Sequence, residues 1–301
     1  MICILTEQPL HQLLALHYVY PLTFKAFKKL IHSIDSLHNL STTSPTKLAN
    51  ILQISMNKSE NILHNYIKML RINLLEAYYA ECITPIPFDN KWYPKELFEL
   101  IDPPTLLYGK GDISLLTKPN KIAIIGSRNA TNYSAMALEF IVPPLLEQEY
   151  VIVSGLAKGA DSLAHRAAIQ YGGKTIGVLG NGFFHIYPKE NRSLALEMAK
   201  HHLLITEYPP YVGPRKWQFP MRNRIISGIS DAIVVTEAAL SSGTLITTDH
   251  ALEHGKDIFV VPGPIHSEQS KGTNQLLKDG AIPIWNGYQI LEERKMFLGK
   301  Y

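Results

Sequence analysis

Lys121-Ile122-Ala123-Ile124-Ile125-Gly126-Ser127-Arg128-Asn129 is the stretch on which the fold turns. A short run that is nearly all apolar and β-branched, closed by glycine, reads as a strand buried on both faces. The same kind of run returns at Val151–Val153, Thr175–Leu179, Leu203–Thr206, Ala232–Val235 and Ile258–Val261, with helical segments between. Strand and helix in alternation imply right-handed crossovers and a parallel sheet. The fold class expected is α/β, with a Rossmann-like, mostly parallel sheet. Ligands of such sheets bind outside the carboxyl ends of the strands, so the residues that follow each strand are the candidates for function.

Upstream of Lys121 the pattern differs. Leu13, Leu14, Leu16 and Tyr18 begin one amphipathic stretch, and Phe24, Phe27, Leu30 and Ile31 follow helical spacing in the next. Ser41–Thr46 reads as a turn. Leu48, Ile51 and Leu52, then Ile62, Tyr66, Ile67 and Leu70, give further short helices. Residues 84–110 carry prolines at 85, 87, 94, 103 and 104, which forbid a long helix and indicate a connector packed on the next unit. The expected division is a small helical domain over 1–83 and a Rossmann-like domain over 84–301.

The chain has 301 residues, 46% hydrophobic and 18% charged, an ordinary globular composition. No apolar run approaches the roughly 18 residues that a membrane span requires. The N-terminus has no basic n-region, and Glu7 and His11 break its apolar stretches, so it does not read as a signal peptide. Cys3 and Cys82 lie far apart without metal-type spacing, which fits a reducing cytoplasm. The net charge of +3 identifies nothing by itself; what matters is where the cations lie.

Gly126, Ser127 and Arg128 follow the first strand. Glycine allows a sharp turn, the amides beyond it can face an anion near a helix N-terminus, and arginine offers a fork of donors to phosphate. The plainer reading is a tight turn with a surface arginine. After the second strand, Gly155, Lys158 and Gly159 again suit a phosphate, or serve only close strand–helix packing, and Asp161 could be an N-cap. The richest segment is 208–224. Arg215, Lys216, Arg222 and Arg224 are interleaved with Tyr208, Tyr211, Trp217 and Phe219, and no acidic residue lies between Glu207 and Asp231. Prolines and glycine keep it a loop until about Pro220. Cations that track a backbone beside aromatics that stack on bases suit unpaired nucleic acid; the plainer reading is a solvated basic loop whose aromatics cover the core. Ser242, Gly243 and Thr244 precede a helix and form another candidate anion nest. Glu237, at a strand end, either orients an arginine or is a buried structural carboxylate.

Other chemistries fit less well. Gly177, Gly180 and Gly182 are out of order for a dinucleotide fingerprint, and the first βα turn offers only Gly126. Gly173-Lys174-Thr175 imitates the end of a P-loop, but Ala168 stands where its leading glycine belongs and Thr175 enters a strand. His250 and His254 are spaced i, i+4 without a third ligand, and His165 is isolated, so no metal and no cofactor are expected.

In order and density, PPTLLYGKGD, IGSRNATNYS, VSGLAKGADSLAH, YPKENRSL, FPMRNRIISGISDAIVVTEA, SGTLIT, FVVPGPI and SKGTNQLLKDGA, between about Trp92 and Trp285, resemble the DNA-processing protein A (DprA/Smf) family. The resemblance implies a positively charged pocket for single-stranded DNA on an extended Rossmann fold. It implies Arg128 from the GSR turn, and Lys216, Phe219, Arg222, Asn223 and Arg224 from the FPxRN segment, as DNA-binding residues. It further implies delivery of single strands to the recombinase RecA in natural transformation, exchange with single-strand binding protein, and a homodimer whose surface overlaps the RecA-interacting one, here around Asn274, Leu277 and Pro283. The helical N-terminus is similar to the family's small SAM-like domain. Many members carry a C-terminal winged helix, which is not expected here, and Ile282-Pro283 departs from the family's usual dimer surface.

Two other functions compete with a non-enzymatic DNA binder. LOG-like phosphoribohydrolases share a Gly-rich strand-to-helix loop, but their GGxGTxxE pattern needs a glutamate where Gly243-Thr244 is followed by Leu245, Ile246 and Thr247. A pure assembly scaffold would bind RecA and no DNA.

Overall fold

The structure is a computed structural model that describes residues 9–240 and 255–298, with Gly243 and Thr248 between them. Five helices come first: α1 (Leu10–Val19), α2 (Phe24–Ile34), α3 (Pro45–Leu52), α4 (Met56–Met69) and α5 (Leu74–Ala80). Short polar side chains start four of them. Thr23, Ser44, Ser55 and Asn73 each accept a hydrogen bond from a first-turn amide. Of the spacing read in α2, Phe27, Leu30 and Ile31 are buried together with Ile34, while Phe24 is half-buried. Ser41–Thr46 is not a plain turn: it runs from the end of a 3-10 helix (Leu37–Thr42) into α3, which Ser44 and Pro45 open.

One sheet of nine strands follows. They are β1 (Thr84–Pro87), β2 (Leu106–Gly111), β3 (Lys121–Ile125), β4 (Val151–Ser154), β5 (Thr175–Leu179), β6 (Leu203–Thr206), β7 (Ala232–Val235), β8 (Asp257–Val260) and β9 (Ile282–Pro283). The order is β1-β2-β6-β5-β4-β3-β7-β8-β9, antiparallel at β1-β2-β6 and parallel elsewhere. The expected α/β class with a mostly parallel sheet is therefore what the chain adopts. All six expected strands form, each within a residue of its expected bounds. The proline-rich connector does more than pack. It supplies β1 and β2, and two of its prolines, Pro85 and Pro87, sit in the outer strand β1, where a missing N–H costs no ladder bond.

The crossover helices are α6 (Asn132–Glu147), α7 (Ala160–Gln170), α8 (Arg192–His201) and α9 (Gln218–Gly228); α10 (Lys271–Lys278) and α11 (Gly287–Leu298) close the fold. From β3 the chain steps through β4, β5 and β6 in one direction, then returns to β7 on the other side of β3. That reversal opens a crevice at the carboxyl ends of the central strands.

One apolar cluster runs from Leu13, Phe27 and Tyr66 through Ile86 and Leu107 to Val235 and Val260, so the N-terminal helices share a core with one face of the sheet. The seam also has polar pins. His17 Nδ1 lies 3.0 Å from the Tyr108 hydroxyl, the Thr105 hydroxyl donates to the Leu22 carbonyl at 3.3 Å, and the Tyr211 hydroxyl donates to the Tyr18 carbonyl.

Candidate nucleic-acid interface

Three strand-to-helix turns and the first turns of α9 meet at the carboxyl edge of the sheet around an open cleft of about 440 Å³, which includes solvent at its mouth. Its floor is apolar, made by Leu156, Leu179, Gly180, Pro188 and the Phe219 ring, with Tyr187 at the side. Its cations are Arg128 from the turn after β3, Lys158 from the turn after β4, and Arg222 from α9. The Arg128 guanidinium lies 5.7 Å from the Phe219 ring centre, and Tyr187 packs on the same ring at 5.6 Å between centroids. Arg128 thus points toward the 215–224 segment.

The three cations differ in freedom. Arg128 is exposed. Arg222 is buried; its Nη1 donates to the Val178 carbonyl, its Nε donates to Asn223 Oδ1 at 3.0 Å, and its Nη2 lies 3.8 Å from Asp161. Burial pushes the Asp161 carboxyl up and the Arg222 guanidinium down, and their mutual attraction opposes both shifts. Lys158 is exposed and pairs with Glu190 at 2.5 Å. That contact raises the lysine and lowers the glutamate. The segment without acidic residues therefore does meet carboxylates, brought by other parts of the chain.

Gly155, just before Leu156, packs directly on the Asp161–Arg222 pair behind this floor. A Cβ there would stand 2.2 Å from Asp161 Oδ2 and 2.4 Å from Arg222 Nη1, so no larger residue fits without moving that pair. Asp161 is not an N-cap. The cap position of α7 is Gly159, and Asp161 lies in the first turn, accepting from the Ala157 amide at 3.3 Å. His165 is fully buried. Its Nε2 donates to the Gly155 carbonyl and its Nδ1 lies 2.6 Å from the Thr175 hydroxyl. Burial pulls its pKa down to about 4. Asn191 Nδ2 donates to the Leu156 and Ala157 carbonyls, both at 3.0 Å, and fixes the same turn from outside.

The Gly126-Ser127-Arg128 turn is stitched to two other segments. The Ser127 amide donates to the Glu237 carbonyl at 2.6 Å, and the Ser127 hydroxyl donates to Gln269 Oε1 at 2.5 Å. Glu237 is the buried structural carboxylate of the two readings. It accepts from the Thr131 amide at 2.7 Å and from the Thr131 and Ser134 hydroxyls at 2.9 and 2.8 Å. Gln269 lies just ahead of α10, and its carbonyl accepts from Ala238 at 2.7 Å.

Other expected site residues lie apart from the cleft. The 208–224 segment is a loop only to Trp217, and α9 begins at Gln218, ahead of Pro220. Helical geometry turns Arg224 away from Arg222, and Arg224 ion-pairs with the half-buried Glu207. Lys216 is exposed in the loop before α9 and does not line the cleft. Asn223 serves by holding Arg222 Nε. Gly243 is exposed, while Ser242 and Thr244 fall outside the described residues, as do His250 and His254. Of the surface expected to pair subunits, Asn274 is turned inward onto the Gly263 backbone, Leu277 is half-buried against the core, and Pro283 is exposed on β9. Among the described residues there is no group of three metal-ligating side chains, and no helix long and apolar enough to cross a membrane.

Comparison with known proteins agrees with this architecture. Residues 84–295 match the family model of DNA recombination-mediator protein A. The DNA processing protein DprA of Bacillus subtilis is 43% identical over 258 residues, which span 85% of this chain and 86% of that one. The crystal structure of DNA processing protein A from Streptococcus pneumoniae superposes with a TM-score of 0.79 at 33% identity, covering 95% of this chain and 98% of that one. A Helicobacter pylori DNA processing protein A, whose structure concerns its single-stranded DNA binding mode, superposes with a TM-score of 0.64 at 33% identity, covering 73% of this chain and 97% of that one. These matches do not favour the LOG-like alternative. The chain belongs to the DNA recombination-mediator protein A family, the DprA/Smf proteins.

Proposed function

We propose that this protein grips single-stranded DNA in the cleft at the carboxyl edge of its sheet and delivers the strand to RecA, as a non-enzymatic mediator acting in the cytoplasm during natural transformation and recombination. The observation that carries the reading is the convergence of Arg128, Lys158 and Arg222, each from a different segment, around one cleft with an aromatic floor. Cations hold the backbone while Phe219 and Tyr187 offer faces to a base, a combination that serves unpaired strands and tolerates any sequence. The similarity to the Helicobacter pylori protein points the same way. RecA, single-strand binding protein and a second copy of the chain, paired around Asn274, Leu277 and Pro283, enter on the family resemblance. Pairing two short sites on one strand raises avidity without new contacts.

A binding assay with oligo-dT and with a duplex of the same length tests the reading. Preference for the single strand, weakened by salt, is expected. Absent binding of both oligonucleotides, with RecA still captured, would instead make the protein a scaffold, and equal binding of both would refute a site for unpaired strands.

A further inference from the structure

Beyond the cleft, the same edge carries large exposed aromatic rings. Tyr187, at the side of the cleft, is 49% exposed, and Phe184, three residues before it, is 55% exposed. Phe184 stands beside Tyr211, 39% exposed, because the loops after β5 and β6 are zipped together. Gly182 N donates to the Val212 carbonyl at 2.8 Å, Phe184 N donates to the Pro210 carbonyl at 2.9 Å, and His185 Nε2 donates to the Tyr211 carbonyl at 3.0 Å. A Cβ on Gly182 would come within 2.1 Å of the Pro209 carbonyl, so this closeness needs glycine. From inside, Asn181 Nδ2 donates to the His185 carbonyl at 2.6 Å. Tyr211 in turn packs on Tyr18 at the end of α1, with ring centres 4.4 Å apart.

The two zipped loops thus place Tyr187, Phe184 and Tyr211 along a ridge from the cleft to the N-terminal helices, where the half-buried Tyr18 backs the Tyr211 ring. Its backbone is held by hydrogen bonds that no ligand is needed to make. Lys189, Arg215 and Lys216 are exposed in the same two loops, and the carboxylate beside them, Glu190, is taken up by Lys158. Exposed rings on a rigid support, flanked by cations and continuous with a phosphate-gripping cleft, suit unpaired bases that have left that cleft.

We propose that the Tyr187–Phe184–Tyr211 ridge is a stacking track for single-stranded nucleic acid. It would extend the cleft's site toward the N-terminal helices; the inference rests on the cleft being a single-strand site. A strand that fills only the cleft does not reach Phe184 or Tyr211, whereas a longer one stacks on them.

The test compares Phe184→Ala, Tyr211→Ala and the wild type on oligo-dT of about four and about sixteen nucleotides, lengths that bracket a single-strand site. The variants should match the wild type on the short oligonucleotide and bind the long one at least roughly fivefold more weakly, as expected for a lost stack. The salt dependence should not change, because no cation is removed, and Phe184→Trp should restore the affinity. Wild-type binding of the long oligonucleotide by both alanine variants overturns the track, as does an equal loss on both lengths, which would make the rings supports of the cleft. A wild type that binds neither length overturns the reading of the cleft itself.

Discussion

Gly155→Ala is the substitution whose consequence the cleft fixes most closely. The new methyl would stand 2.2 Å from Asp161 Oδ2 and 2.4 and 2.5 Å from the two terminal nitrogens of Arg222. Both side chains are buried, and Arg222 is also held by the Val178 carbonyl, so neither can swing into solvent while keeping its partners. Overfilling a packed site costs about 1–3 kcal/mol, and fully breaking a buried charge pair about 3–5 kcal/mol. Partial relaxation puts the expected loss near 3 kcal/mol. For a chain of 301 residues the unfolding entropy is roughly 0.6 kcal/mol/K, so the melting temperature should fall by about 5 °C. Affinity for oligo-dT should fall with it, since Arg222 is driven from its place in the cleft. Gly213→Ala, where the methyl meets open space, is the control. Thermal melts and fluorescence anisotropy on both variants decide the matter. A Gly155→Ala protein that melts and binds like Gly213→Ala would refute the packing argument.

Three further outcomes are expected. Glu190→Gln removes the ion pair that DNA must break to reach Lys158, so single-strand affinity should rise while the log–log salt slope stays near about −2; an unchanged affinity counts against Lys158 as a phosphate contact. Gln269→Ala strips the Ser127 hydroxyl of its acceptor, which should cost about 1–3 kcal/mol and weaken DNA binding from a residue outside the cleft; affinity held at the wild-type value would show that the turn does not need this support. Burial holds His17 at about 3 and His165 at about 4, against 6.5 for a free ring. Above pH 6.5 both are neutral whether the chain is folded or not. As the pH falls from 6.5 to about 4, the unfolded chain takes up protons that the folded one refuses, and stability falls by up to about 3 kcal/mol per histidine. His17→Gln should remove about one of the protons taken up on unfolding at pH 4.5, measured by the pH dependence of denaturant midpoints; an undiminished slope would exclude His17 as a source.

The six strands β3 to β8 were legible because they are buried on both faces, which leaves the sequence short apolar runs and little else. β1 was not, because an outer strand tolerates the prolines that argue against strands elsewhere, and β2, which holds no proline, follows directly on Pro103 and Pro104 and was read with them as a connector. The cleft was legible in part. Arg128 and Lys158 stand directly after strands, where topology puts ligands. Arg222 and Arg224 look alike in the sequence, yet two residues on a helix point about 200° apart, so one lines the cleft while the other pairs with Glu207. Reading that segment as a loop until Pro220 hid this division. Glu190, Asp161 and Gln269 act through partners distant in the chain, Ser127 and Gln269 being 142 positions apart, and local pattern carries no trace of such pairs.

The most direct measurement is a salt titration of oligo-dT binding by the wild type and Arg128→Ala. With Arg128, Lys158 and Arg222 on phosphates, the wild-type log–log slope should be about −2, and the variant's should be shallower by about 0.7 with affinity lower on every sequence. A variant with the wild-type slope and affinity would contradict the account, because the exposed cation at the mouth of the cleft would then carry no phosphate.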